Sequence, residues 1–196
     1  MKKIICTIFV LFFALNSFSQ NCDICDIQQN ITQPPQPPQP KYSEKEIRTK
    51  LLDSINKQLY VREAGGPNRG KEVDNYLKMV NCAVGNPWCA AFVSANLTWQ
   101  GVKNPKSAWS PDYALKQDII WKEKIKIKED PKGGDVITYY YSNIGRVGHV
   151  GFFEKIDKNG YFITIEGNTN DVGSREGTIV SRKKRSKKKI KGYLRY

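Results

Sequence analysis

Beginning at Ser43, apolar residues recur at four-residue spacing. Ile47, Leu51, Ile55 and Leu59 fall on one face of a helix. Ser43 followed three residues later by Glu46 is a capping-box pattern and predicts where that helix starts. The stretch AGGPNRG, residues 64–70, ends it, and Val73, Tyr76, Leu77 and Val80 predict a second helix. After a loop over residues 83–86, a third helix is expected. Asn86 is its N-cap, Pro87 its first position, and Trp88, Phe92, Ala95 and Trp99 its buried stripe. Gly101 is the natural stop.

Following an irregular region, the period shortens to two. GDVITYYY, HVGFFEKI and YFITIEGN read as strands, the last two joined through a turn at residues 157–160 that contains Asn-Gly. TIV and KGYLRY are candidates for further strands on either side of a basic run. Helices first and a mostly antiparallel sheet afterwards predict an α+β fold over residues 43–196.

Composition adds what lies outside this domain. The chain has 196 residues and a formal charge of +13. Eight cations sit in RKKRSKKKIK, residues 182–191; setting them aside with Lys2 and Lys3 leaves +3 on the rest of the chain. The N-terminus has a basic start, an apolar run over residues 4–15, and small residues at Ser17 and Ser19. That is the layout of an export signal over residues 1–19, too short for a membrane span, and predicts a secreted or periplasmic protein. The residues before Cys22 lack the small side chains that lipid attachment requires. Residues 20–42 form a Pro/Gln-rich linker, extended where QPPQPPQP lies. Cys22 and Cys25 form a CxxC, but the chain has one histidine and its other cysteines are distant. A zinc site needs about four ligands, so no metal is expected, and Cys22 and Cys25 are expected to pair with each other or with a partner. The basic run has no interleaved aromatics, and no nucleic-acid partner is expected.

The candidate chemistry centres on Cys89. At about the third position of the third helix, its thiol would sit where unpaired N–H groups and the helix dipole favour a thiolate. Burial as a small core residue is the competing reading. The sole histidine, His149, begins a strand between glycines. A four-residue hairpin loop puts His149 opposite Asn168, and a two-residue loop puts it opposite Asn170. In both registers it shares a sheet face with Glu166 and Asn168, either of which can orient the ring. Val150, Phe152, Ile163 and Ile165 take the other face. A nucleophile at a helix start, a base on a strand and an orienting group on the next strand is the logic of a cysteine-nucleophile hydrolase.

These segments, NRGKEVDNYLKMV, GNPWCAAFVS, GGDVITYY, GHVGFFEKI and ITIEGNT, resemble in order and spacing those of the CHAP domains (cysteine, histidine-dependent amidohydrolase/peptidase). The resemblance runs from about Val61 to the C-terminus. It implies a papain-like fold with N-terminal helices packed on the sheet, and an enzyme that cleaves amide bonds in peptidoglycan without a redox cofactor. By resemblance Cys89 is the nucleophile, His149 the base and Glu166 the third member, with Asn168 beside it. Some relatives bind calcium through an acidic loop, which this sequence does not show. Cys82 departs from the pattern; a disulfide with Cys89 and simple burial both remain open. The alternative function is a non-enzymatic module that binds the cell wall or anionic wall polymers through the basic run.

Overall fold

The computed structural model describes residues 42–114, 119–122, 129–170 and 177–196. The expected export signal, the spacer up to residue 41 and the CxxC lie outside the described residues. The chain divides into two units, Met1–Pro40 and Lys41–Tyr196, and the elements below belong to the second.

Helix α1 (Glu44–Asn56) starts as its sequence predicts. The Ser43 hydroxyl accepts from the Glu46 N–H, and the Glu46 carboxylate accepts from the Ser43 N–H. Leu51 and Ile55 are buried, and Leu59 lies past the end of the helix. Helix α2 (Lys71–Met79) buries Val73, Tyr76 and Leu77. Helix α3 (Cys89–Trp99) differs from the expected stripe. Every residue from Cys89 to Leu97 is buried, whereas Trp99 is 45% exposed. An element apolar all round is enclosed by its neighbours rather than laid on a surface, so α3 is the central helix of the core.

Six strands follow: β1 (Ile119–Lys122), β2 (Val136–Tyr141), β3 (Arg146–Ile156), β4 (Phe162–Thr169), β5 (Ile179–Arg185) and β6 (Ile190–Leu194). They form one sheet in the order β1-β6-β2-β3-β4-β5, antiparallel throughout. The α+β expectation holds. β1 falls in a region read from sequence as irregular. The basic run is not one loop between strands: its first four residues form the end of β5, because alternate side chains there point into the structure.

The sheet carries a core on each face. Val136, Val150, Phe152 and Ile165 pack with the helices, while Ile137, Tyr139, Phe153, Phe162 and Tyr193 form a smaller cluster. Fully burying one such side chain contributes about 1.5–3 kcal/mol, so α3 and these strands hold one another in a fixed relation. Gly167 permits that closeness. A Cβ there would come within 2.7 Å of Trp88 and 2.8 Å of Phe92, so the start of α3 lies directly against β4.

Candidate functional site

Cys89 is the first residue of α3. Asn86 does not cap the helix; its side chain donates to the Ala83 carbonyl. The residue preceding the helix is Trp88, which makes no side-chain cap. The Asn168 side-chain oxygen, arriving from β4, accepts the Trp88 N–H at 3.1 Å. A sequence-local cap is thus replaced by one from 80 residues away. Trp88 itself is core: it is fully buried and its indole N–H donates to Glu63 at 2.8 Å.

The β3–β4 hairpin fixes the rest. Ile156 pairs with Phe162, and a bulge between Phe153 and Lys155 moves the register to Phe152 opposite Ile165. That second register is the one expected from a four-residue loop. Glu166 then lies over Gly151, where a Cβ would come within 2.5 Å of its side chain. The missing side chain at Gly151 lets the Glu166 carboxylate reach His149. His149 Nε2 lies 2.9 Å from Glu166 Oε2, and both side chains are fully buried. The other ring nitrogen, Nδ1, is buried without a hydrogen-bond partner of ordinary geometry. It is the nitrogen left to exchange a proton with the thiol.

Glu166 is held on several sides. Its carboxylate accepts from the Tyr139 hydroxyl at 2.8 Å, the Thr164 hydroxyl at 2.6 Å and Arg185 Nε at 2.9 Å, and Arg185 Nη2 donates to its other oxygen. Burial alone would push the Glu166 carboxyl up, but Arg185 and His149 hold it far below the usual carboxylate range. It stays ionised and fixes the His149 Nε2–H as a donor. Tyr139, raised by its burial and by Glu166, stays protonated and donates.

The same balance acts on Cys89 and His149. Burial favours the neutral thiol of Cys89, yet the charge of His149, hydrogen bonding from His149 and Ser110, and the Val150 N–H together lower it. For His149 burial favours the neutral ring, but Cys89 and Glu166 outweigh it and raise the ring to about 9. Both directions favour a thiolate–imidazolium pair.

Ser110 lies 3.3 Å from the Cys89 sulfur, at the head of a 3₁₀ turn (Ser110–Ala114). A cleft of ≈ 430 Å³ opens beside Cys89. Lys106, Trp109 and Arg146 line it, with the Arg146 guanidinium 3.9 Å above the half-exposed Trp109 ring, and among the described residues no carboxylate side chain lines it. Cys82 lines it too; Cys82 and Cys89 are both free thiols.

Of the residues singled out in the sequence, Cys89, His149 and Glu166 come together. Asn168 turns elsewhere: besides accepting from Trp88, its amide donates to the Gly177 carbonyl at 2.7 Å and to Asn68 at 3.2 Å. Its backbone is left-handed, with φ 56°, which asparagine tolerates better than most residues. Ser110, Tyr139 and Arg185 carry no sequence signal of their own. Ser110 lies in a stretch without periodicity, and Arg185 is hidden among seven other cations.

The CHAP domain family model matches residues 81–168. No curated protein matches the sequence. Among solved structures, a mutated form of the Resuscitation Promoting Factor Interacting protein RipA aligns with a TM-score of 0.45 and 17% identity, over 78% of this chain and 62% of that one. The residues matched by the CHAP domain model, 81–168, hold Cys89, His149, Glu166 and Asn168.

Proposed function

We propose that this protein is an exported cysteine-nucleophile hydrolase that cleaves amide bonds in peptidoglycan. The observation that carries the reading is the buried Glu166–His149 pair, with the unpaired His149 Nδ1 and the acidified Cys89 thiol at a helix start. The Cys89 thiolate attacks the amide carbonyl carbon, forming a C–S bond and a tetrahedral oxyanion. The Cys89 N–H, which has no partner within its own helix, is the candidate donor to that oxyanion. Collapse breaks the C–N bond, and the His149 imidazolium gives its proton to the departing amine. Water then attacks the thioester while neutral His149 takes its proton. A carboxylic acid leaves and the thiolate is restored. Glu166, held ionised by Arg185, keeps the ring oriented and stabilises its charged form.

The cleft supports an acidic substrate: Lys106 and Arg146 line it with no opposing carboxylate among the described residues, and the stem peptides of peptidoglycan carry free carboxylates. Export rests on the N-terminal sequence pattern. The test is mass spectrometry of fragments released from purified sacculi by the mature protein. New amine and carboxyl ends at one stem-peptide amide, or at the amide joining peptide to sugar, are expected. Intact sacculi after prolonged incubation, with the protein folded, overturn the proposal.

A further inference from the structure

A second cleft, of ≈ 450 Å³, opens between β2 and the turn that joins β5 to β6. Tyr140, Tyr141, Arg185, Lys188, Lys189 and Lys191 are among the residues that line it. Among the described residues it shares no lining residue with the Cys89 cleft, and none of its described lining residues is a carboxylate.

The fold sorts the basic run into two kinds of cation. On β5, Arg182 pairs with Glu154 at 2.7 Å, Lys184 with Asp157 at 2.8 Å, and Arg185 with buried Glu166. These charges are matched within the chain. The turn (Lys187–Lys189) behaves differently: its lysines are exposed, and Lys188 and Lys189 enter no ion pair among the described residues. Lys191 Nζ lies 5.0 Å from the centre of the Tyr140 ring, which is 45% exposed. Cations and an open aromatic face are therefore presented together in a concavity. A concave site of this size admits a short chain rather than the plane of a membrane. An aromatic ring beside ammonium groups suits a ligand with both aliphatic and carboxylate parts.

We propose that this cleft is an anion-binding subsite for the free carboxylates of peptidoglycan stem peptides, holding the sacculus while the Cys89 cleft cuts it. The identity of the polymer rests on the proposed function; the site itself does not.

The full-length protein with Cys89→Ala, which cannot digest what it binds, is sedimented with purified sacculi at low salt. Adding Lys188→Gln, Lys189→Gln and Lys191→Gln should lower binding roughly five- to tenfold, and the difference should vanish at high salt. The same three positions as Arg should keep the binding. Sacculi whose carboxylates have been amidated should lose the parent protein to the same extent. In the active enzyme, the Gln variant should cleave a soluble disaccharide–tetrapeptide at the parent kcat/KM. Unchanged binding of the Gln variant overturns the subsite, and unchanged binding to amidated sacculi overturns its ligand. A single-stranded oligonucleotide that displaces sacculi at equal charge also overturns the ligand. A matching loss on the soluble fragment overturns its separation from the catalytic cleft. Binding is read with an inactive protein, so failure of hydrolysis and failure of this site are separate results.

Discussion

At the residue scale, the proposed Cys89–His149 pair sets the expected pH dependence. In the proposed mechanism the reactive form has a thiolate and an imidazolium, so it exists above the lowered Cys89 value and below the raised His149 value of about 9. Activity should rise at a pH below that of an ordinary thiol, hold through neutrality, and fall near pH 9, as the pair titrates together. Glu166 is one of the groups that raise His149. Glu166→Gln should therefore move the alkaline limb down and lower kcat; a pH–rate profile of kcat/KM that keeps its alkaline limb in this variant contradicts the assignment. Cys89, His149 and Glu166 were readable in the sequence because each sits in a short pattern with a definite period. Ser110 and Tyr139 were not. Their roles depend on where a 3₁₀ turn and a neighbouring strand come to lie, and no local pattern encodes that.

At the element scale, the start of α3 is held by β4. Asn168 is a positioning residue here: it accepts from the Trp88 N–H and occupies a left-handed backbone position. Asn168→Ala removes the cap and leaves a strained backbone, a loss of about 1–2 kcal/mol. Asn168→Gly relieves the backbone and should recover part of the melting temperature. Both variants should keep more activity per folded molecule than Glu166→Gln; a loss in Asn168→Gly as deep as that of Glu166→Gln would make Asn168 the orienting residue instead. Gly167→Ala pushes β4 from Trp88 and Phe92 and should cost about 1–3 kcal/mol in chemical denaturation. The start of α1 follows from its local capping box, and the face alternation of β3 and β4 from their period, whereas α1 stops short of Leu59 and the hairpin carries a bulge. The true cap of α3 does not follow from local pattern, because its acceptor is distant in sequence while Asn86, adjacent to Pro87, gives a stronger local signal. β1 was missed for a related reason: it is a short edge strand defined by pairing with β6.

At the scale of the whole molecule, one buried ion pair ties chemistry to stability. Arg185, from the end of β5, holds Glu166 beside His149. The Glu166 value is lower in the folded protein than its ordinary 4.5, so its contribution is fully present above that value and is lost as pH falls through the acid range. The melting temperature should drop below about pH 4.5, and Glu166→Gln should flatten that dependence. The same variant leaves Arg185 without its charged partner, a cost of about 3–5 kcal/mol at neutral pH for a broken buried pair. The basic run looked uniform as a string of letters. Alternation along β5 gives its members separate roles, and one of them, Arg185, pairs with the buried Glu166 carboxylate. The most direct test of the central claim is fragment release from purified sacculi by the parent enzyme, Cys89→Ala, His149→Ala and the double variant, each verified as folded. Residues acting as one unit lose their function together. Each single variant should fall to trace activity, and the double variant should fall no further. Release by Cys89→Ala above trace, or losses that multiply in the double variant, would contradict a Cys89–His149 hydrolytic unit.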